Sequence, residues 1–328
     1  MAERIRVGVL GVGEHGKHHA RQYTEIEPAH LAGVYDIRPE RCQQVAAELG
    51  VRAFSSVEEA LRAVQAASIV IPTTEHAAVA RRAFELGVDV LLEKPITRTV
   101  EEADELIKVA ESCGRILQVG HIERFNPGVV AAKAITQRPL FFEVHRLGVF
   151  SPRSLDVDVV YDLMIHDLDL VLWMVGAAPR QVHAVGLPVL TNKVDIANAR
   201  VEFENGAVAN FTASRVSTEK VRKFRYFQPN EYVSIDFSRQ DALVIGVDRT
   251  KMNPEMSFRK LETRPIEPLR AEIEAFLESV RTRRAPLAGG REGRAALALA
   301  ADVMDRIERH AAEVQISLSR AVGHAGEI

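Results

Sequence analysis

Lys94, Asp162 and His166 are the side chains in this 328-residue chain best suited to moving a proton off a hydroxyl. Lys94 follows a mostly apolar run, residues 88–92, and precedes Pro95, which disfavours helical backbone for its predecessor. A lysine leaving the carboxyl end of a strand can donate a hydrogen bond to a reacting oxygen and lower the cost of alkoxide character. Partial burial would lower its pKa and bring it into a proton relay. Asp162, His166 and Asp169 stand at i, i+4 and i+7 of a segment, residues 157–175, that is otherwise almost wholly apolar. That pattern predicts a largely buried helix carrying the three on one stripe. Polar groups in such surroundings need partners or a task. Asp162 would orient the imidazole or help hold its charge, and His166 would take the hydroxyl proton near neutral pH. Asp169 would contact substrate or anchor the helix. The chemistry is oxidation of an alcohol, which also needs a hydride acceptor.

The acceptor site is written upstream. Gly11-x-Gly13-x-x-Gly16 follows the apolar run 5–10 and precedes a helical pattern, the context in which glycines let a backbone approach a pyrophosphate at a helix N-terminus. Asp36 ends the second strand, placed to accept from a ribose 2′-hydroxyl and to repel a 2′-phosphate, so NAD is expected. Arg38 and Arg41 lie close enough to soften that preference. Val12, Glu14 and His15 inside the fingerprint, with Arg38, Thr73, Glu93 and Lys94, complete the expected cofactor seat. His76 either contacts the cofactor or is a surface histidine of a first helical turn.

The elements that must position these groups alternate. Strand signals at residues 4–10, 30–35, 51–54, 68–71, 88–92 and 115–119 are separated by helical patterns, including residues 57–66 with Ser56 as N-cap. Pro39 opens another helix at a first-turn position, and Gly87 and Gly114 stand at helix C-termini. Such alternation predicts a doubly wound parallel sheet. After residue 120 the rhythm changes to strand-like segments over residues 180–261, with a hairpin at Asn205-Gly206 and closing helices at 269–282 and 291–309. The expected fold class is α/β: a dinucleotide-binding domain over 1–120, then an α+β domain over 121–328 with a largely antiparallel, open-faced sheet for substrate and association. Arg124 and Asn126, leaving the sixth strand, and Tyr161, beside Asp162, are the further expected substrate contacts. Arg215, Lys220, Arg222, Lys223 and Arg225 cluster near one strand pair, as a diphosphate site or as a solvated charged strand.

Composition narrows the class. A net charge of −3 with 27% charged residues argues against nucleic acid as the main partner. No apolar stretch approaches the ~20 residues of a membrane span. The strand that begins within about four residues of Met1 predicts no signal peptide. Cys42 and Cys113 fall in helical patterns without metal spacing. A metal at the Asp162/His166 stripe is the competing view of that helix, and Lys94 would repel a cation; no metal is expected. A cytoplasmic protein is expected.

With these residues in view, the chain resembles the glucose–fructose oxidoreductase/inositol dehydrogenase family over nearly its whole length. The marks are Gly11-Val-Gly13-Glu-His-Gly16, Pro72-Thr73-Thr74-Glu75-His76, Glu93-Lys94-Pro95, Arg124-Phe125 and Asp162-Leu-Met-Ile-His166-Asp-Leu-Asp169. The resemblance implies Lys94, Asp162 and His166 as the catalytic set, a cis Lys94–Pro95 bond, and a homodimer or homotetramer formed through the open sheet face. Within the family, the stretch Gly120–Pro127 with the Asp162/His166 helix is most similar to members that oxidise the C3 hydroxyl of UDP-N-acetylglucosamine. Coupling to an aminotransferase follows from that likeness, feeding 3-amino sugars to lipid A or surface polysaccharide. Two alternatives stay open: oxidation of a free sugar or polyol such as inositol, and a non-catalytic nicotinamide-binding sensor.

Overall fold

The computed structural model describes residues 4–151, 157–248 and 255–314. Residues 249–254 of the expected strand run lie outside the described residues. The chain forms two compact units, one from the N-terminal part through Phe125 with Ile266–Arg294, the other from Asn126–Pro265 with the chain from Ala295 on. A single boundary at residue 120 therefore misassigns Ile266–Arg294. The reason is packing: Leu269, Ile273, Phe276 and Leu277 of that segment join Val7, Leu31 and Leu91 in one core cluster.

The first unit runs β1 (Ile5–Leu10), α1 (Glu14–Glu25), β2 (Ala29–Tyr35), α2 (Pro39–Leu49), β3 (Arg52–Ala53), α3 (Val57–Ala63), β4 (Ala66–Ile69), α4 (Thr73–Glu85), β5 (Asp89–Leu92), α5 (Val100–Ser112) and β6 (Leu117–Val119). The six strands pair in parallel in the order β3-β2-β1-β4-β5-β6. Strand order reverses between β1 and β4, and ligands of such sheets bind outside the carboxyl ends at that point. Local signals set the helix ends. Ser56 accepts from the Glu59 amide at 3.1 Å, Pro39 begins α2, and Gly87 and Gly114 follow α4 and α5 at positive φ. Residues 64–67 depart from expectation: α3 ends at Ala63 and β4 begins at Ala66, not 68. Ala66 and Ala67 are wholly buried in the sheet, and that burial overrides their helix propensity.

The second unit comprises α6 (Pro127–Ile135), β7 (Phe141–Leu147), a π-helix (Val160–Met164) running into α7 (Ile165–Val175), and strands β8 (Pro179–Leu187), β9 (Ile196–Phe203), β10 (Val208–Ser214), β11 (Val221–Gln228), β12 (Glu231–Asp236), β13 (Asp241–Asp248) and β14 (Glu255–Lys260). Their order is β14-β13-β12-β11-β7-β10-β9-β8; β7 pairs β10 in parallel and the other described neighbours are antiparallel. The expected hairpin joins β9 to β10, with Gly206 at φ 85° and the Ala207 amide donating to Asn205 Oδ1. Helix α8 (Pro268–Thr282) belongs to the first unit, and α9 (Gly290–Glu313) begins there and continues in the second.

Alternation along the strands gives the sheet two characters. Phe142, Phe211, Phe224 and Tyr226 point to one face and share a core with Val129 of α6, Leu168 of α7 and Val303 of α9. On the other face Phe141, Phe227, Tyr232, Ile245 and Phe258 are successive cross-strand partners, forming one apolar row over five strands. Residues 157–175 were expected to form one α-helix; instead Asp162 lies in the π-turn, where the Ile165 amide donates to the Val160 carbonyl. The single-stripe spacing of Asp162, His166 and Asp169 is therefore broken, and π-turns of this kind recur at functional sites. Among the described residues no helix is long and apolar enough to cross a membrane.

Candidate active site

In the first unit, the loop from β1 to α1 is shaped by its glycines. A Cβ on Gly11, whose φ is +85°, would run into the Val70 carbonyl, and one on Gly16 into the Gly11 carbonyl. A Cβ on Gly13 would meet no protein atom within 4 Å, so this backbone is open to a ligand resting on the α1 N-terminus. Val12 is wholly buried and serves through its backbone: its amide donates to Asp36 Oδ2 at 3.0 Å. Asp36 Oδ1 accepts from the Arg38 amide at 3.0 Å and from Arg38 Nε at 3.2 Å. Burial pushes the Asp36 carboxyl up, but the hydrogen bonds from Arg38 and Val12 outweigh it and hold the pKa below its ordinary value. Arg41 Nε donates to the Val12 carbonyl at 2.9 Å.

A cavity of about 580 Å³ opens beside these residues, lined by Gly11, Gly13, Asp36, Ile37 and Thr74 among others. Ile37 is 84% exposed, an apolar surface against which a planar base can lie. It went unnoticed in the sequence, although its place directly after the acidic strand end is the signal. An open glycine cradle, an ionised acceptor and an apolar slot fit an adenine dinucleotide. Replacing Asp36 by Ala should weaken NAD binding roughly 10–100-fold, the worth of one hydrogen bond to a charged group, and narrow the NAD:NADP ratio. Titration with both cofactors checks this, and an unchanged ratio would contradict the role given to Asp36.

The end of β5 carries a second cluster. Glu93 Oε1 lies 3.1 Å from His15 Nε2 and 3.3 Å from His19 Nε2, and Glu93 Oε2 accepts from the Lys94 amide at 3.2 Å. A Cβ on Gly120 would stand 2.9 Å from Glu93 Oε1, so Gly120 makes the room this carboxylate occupies. Burial alone would raise the Glu93 pKa, but the two imidazoles hold it well below the usual range. The hydrogen bond to Glu93 raises the pKa of half-exposed His15, whereas burial lowers that of His19. His15 of α1 thus meets Glu93 beside Lys94 at the end of β5. The Lys94–Pro95 bond is cis, as the resemblance implied. Glu14 is exposed in the first turn of α1, and Thr73 opens α4 at the same sheet edge.

His76 is placed differently from either expectation. It is wholly buried, with Nδ1 2.9 Å from the Pro95 carbonyl and Nε2 3.0 Å from the Ile71 carbonyl. It braces the Lys94–Pro95 turn and offers no face to a ligand. Arg124 and Asn126 are also corrected. Arg124 is 2% exposed and donates to the Leu287 carbonyl at 2.7 Å. Asn126 caps α6, Oδ1 accepting from the Gly128 amide at 3.0 Å while Nδ2 donates to the Phe237 carbonyl. Both are polar groups that burial turns inward to backbone partners rather than to substrate.

Behind Glu93 the first unit buries a second acid, Glu272 of α8, neither of whose carboxylate oxygens has a hydrogen-bond partner. Burial first, and the Glu93 charge second, raise its pKa well above the ordinary value. Between the unfolded value, about 4.3, and that raised value, the folded state holds a proton the unfolded state has lost, so stability falls as pH rises through the window. Glu272→Gln should therefore gain stability over the natural protein as pH goes from about 5 to about 8. Urea unfolding at the two pH values reads this, and parallel profiles would contradict it.

In the second unit, Asp162, Tyr161 and His166 are partly exposed, whereas Asp169 is 1% exposed. The sequence missed a buried ion pair of this region. Arg146 of β7 grips Asp167 of α7 through two hydrogen bonds, 2.9 and 2.7 Å, with both side chains buried. This pair ties the helix carrying His166 to the sheet.

A parallel sheet with strand order 3-2-1-4-5-6, a glycine cradle at its switch point and an acid closing its second strand define an NAD-binding Rossmann oxidoreductase. Comparison with known proteins agrees: residues 5–121 match the oxidoreductase family with an NAD-binding Rossmann fold, and residues 138–228 match the GFO/IDH/MocA C-terminal domain. The chain belongs to the GFO/IDH/MocA oxidoreductase family. It is 43% identical to the UDP-N-acetylglucosamine 3-dehydrogenase of Acidithiobacillus ferrooxidans, over 93% of this chain and 97% of that one. A solved structure of that enzyme superposes with a TM-score of 0.88 at 42% identity, covering 94% of this chain and 99% of that one. The NAD(+)-dependent scyllo-inositol 2-dehydrogenase of Bacillus subtilis is more distant, 31% identical over 66% of this chain and 69% of its own.

Proposed function

We propose that the protein oxidises the C3 hydroxyl of UDP-N-acetylglucosamine to the 3-keto sugar nucleotide. The observation that carries this reading is the 43% identity to the Acidithiobacillus ferrooxidans enzyme over nearly the whole chain, against 31% to the scyllo-inositol dehydrogenase over 66% of it and 27% to an inositol 2-dehydrogenase over 90%. NAD, when bound, supplies the hydride acceptor. The residues of this chain handle the proton and the orientation. His166 takes the hydroxyl proton, Asp162 favours the protonated imidazole, and Lys94 donates to the oxygen as it gains negative character. Glu93, fixed by His15 and His19 and accepting from the Lys94 amide, holds the lysine backbone in place. Tyr161 borders the substrate.

The 3-keto product suits a transamination to a 3-amino sugar, so an aminotransferase working on this product in the cytoplasm belongs to the same reading. The test is NADH formation from purified protein with NAD and a sugar panel, run with and without an amino-transfer step that consumes product. Turnover with UDP-N-acetylglucosamine and none with inositol or free N-acetylglucosamine is the expected result. Turnover with inositol alone would replace this function with polyol oxidation.

The apolar row Phe141–Phe227–Tyr232–Ile245–Phe258 on the uncovered sheet face supports association of copies of this chain into a homodimer or homotetramer. Phe258 is 67% exposed there, and Phe258→Asp should shift the protein to monomer in sedimentation without unfolding it. An unchanged mass would move the interface elsewhere.

A further inference from the structure

The second unit holds a cavity of about 410 Å³ lined by Arg146, Arg215, Lys220, Arg222, Asp162 and Leu163 among others. We propose that it seats the diphosphate of the sugar nucleotide, with Arg222 and Lys220 as the phosphate-gripping side chains and the sugar lying towards Asp162. This inference rests on the sugar-nucleotide reading and assigns residues to it.

Register carries the inference. In the antiparallel β7–β11 ladder Arg146 and Arg222 are direct cross-strand partners. Both alternate onto the helix-covered face, since Val144 and Phe224, two residues away in each strand, are buried there. Like charges placed directly opposite destabilise a sheet. Asp167 answers the charge of Arg146, and Asp195 lies 3.8 Å from Arg215, which also donates to the Val157 carbonyl. Arg222 and Lys220 lie in the same lining as these two arginines, so four basic side chains border the cavity, with Asp162 as an acid among the described lining residues. A pocket built this way favours an anion of more than one charge.

The neighbouring basic residues provide the contrast. Lys223 and Arg225 point to the opposite face, and their cross-strand partners include acids: Asp236 faces Lys223 and Glu143 faces Arg225. They are an ordinary charge-paired strand surface. The basic cluster of the sequence therefore splits, with Arg215, Lys220 and Arg222 at the cavity and Lys223 and Arg225 elsewhere. The cavity volume lies in the range of small-molecule sites, about 300–1,000 Å³. Guanidinium groups bind phosphate through two parallel hydrogen bonds, fixing orientation as well as adding affinity. A free polyol has no use for such a pocket, whereas a diphosphate held here would set which hydroxyl of the attached sugar reaches the Asp162 side.

The test uses UDP and uridine as probes in calorimetric titration of the full-length protein, with Arg222→Gln, Lys220→Gln and the double variant. Both side chains reach solvent, so the variants should fold, and circular dichroism checks this. The natural protein should prefer UDP to uridine, each single variant should lose about 10-fold in UDP affinity, and the double variant should lose most of the preference. Lys223→Gln with Arg225→Gln should leave UDP binding unchanged. In turnover, the Arg222 and Lys220 variants should raise KM for UDP-N-acetylglucosamine with kcat nearly constant. Equal UDP affinity in the natural protein and the double variant would overturn the inference, as would UDP binding no tighter than uridine. If UDP-N-acetylglucosamine is still turned over by the natural protein in that case, the function stands and only the diphosphate seat falls. If it is not turned over while the UDP preference follows Arg222 and Lys220, the seat stands and the substrate assignment falls.

Discussion

His166→Asn lowers kcat by about 10²–10⁴, the usual worth of a positioned general base, while the NAD dissociation constant stays within about two-fold. The cofactor seat of β1, α1 and β2 lies in the first compact unit and His166 in the second, which is why binding and chemistry should separate. Lys94→Ala should act in the same direction by about 10²–10³, since a donor aimed at a developing alkoxide is lost. Its KM for the sugar nucleotide should move little, because the donor matters most in the transition state. Single-turnover absorbance with NAD, together with cofactor titration, reads both quantities. A His166 variant that keeps most of its kcat would remove that residue from the proton-handling role.

Asp167→Ala is expected to cost about 3–5 kcal/mol of stability, because it leaves the buried Arg146 guanidinium without its bidentate carboxylate. Few surface substitutions approach that size, typically remaining within about 0.5 kcal/mol. The pair is a connection as well as a stability element: it joins β7, whose Arg146 lines the basic cavity, to α7, which begins one residue before His166. Replacing both partners by apolar residues of similar volume, Arg146→Met with Asp167→Leu, should recover most of the lost stability. Denaturant unfolding of the two variants and the natural protein measures this. A loss below about 1 kcal/mol for Asp167→Ala would mean that Arg146 is compensated without Asp167.

The parts legible in the sequence were those whose signals are local. The glycines at 11, 13 and 16, Asp36 at a strand end, Pro39, Ser56, and the glycines after α4 and α5 each act within a few residues, and together they specified the Rossmann half. The second unit was legible as a class, a largely antiparallel sheet with one inserted helix, because Asn205-Gly206 and the alternation of strands are also local. What escaped was decided at long range. Asn126 and Arg124 look like ligand donors in the sequence, but their partners, the Phe237 and Leu287 carbonyls, lie 111 and 163 residues away. His76 reads as a surface histidine until the Pro95 carbonyl is seen against it. The π-turn at Asp162 has no propensity signature, and the Arg146–Asp167 pair joins a strand to a helix 21 residues on. Lys94, Asp162 and His166 were singled out by residue type and spacing, and the family resemblance implied the same three, but neither could show that the basic residues of β11 divide between two faces.

The central claim is that hydride leaves C3 of the sugar of UDP-N-acetylglucosamine. The most direct measurement is turnover of UDP-N-acetylglucosamine carrying deuterium only at C3, with the mass of the reduced cofactor read by mass spectrometry. The account predicts reduced cofactor one mass unit heavier than that from unlabelled substrate. Reduced cofactor of unchanged mass, formed at a normal rate, would place the oxidation at another carbon and contradict it.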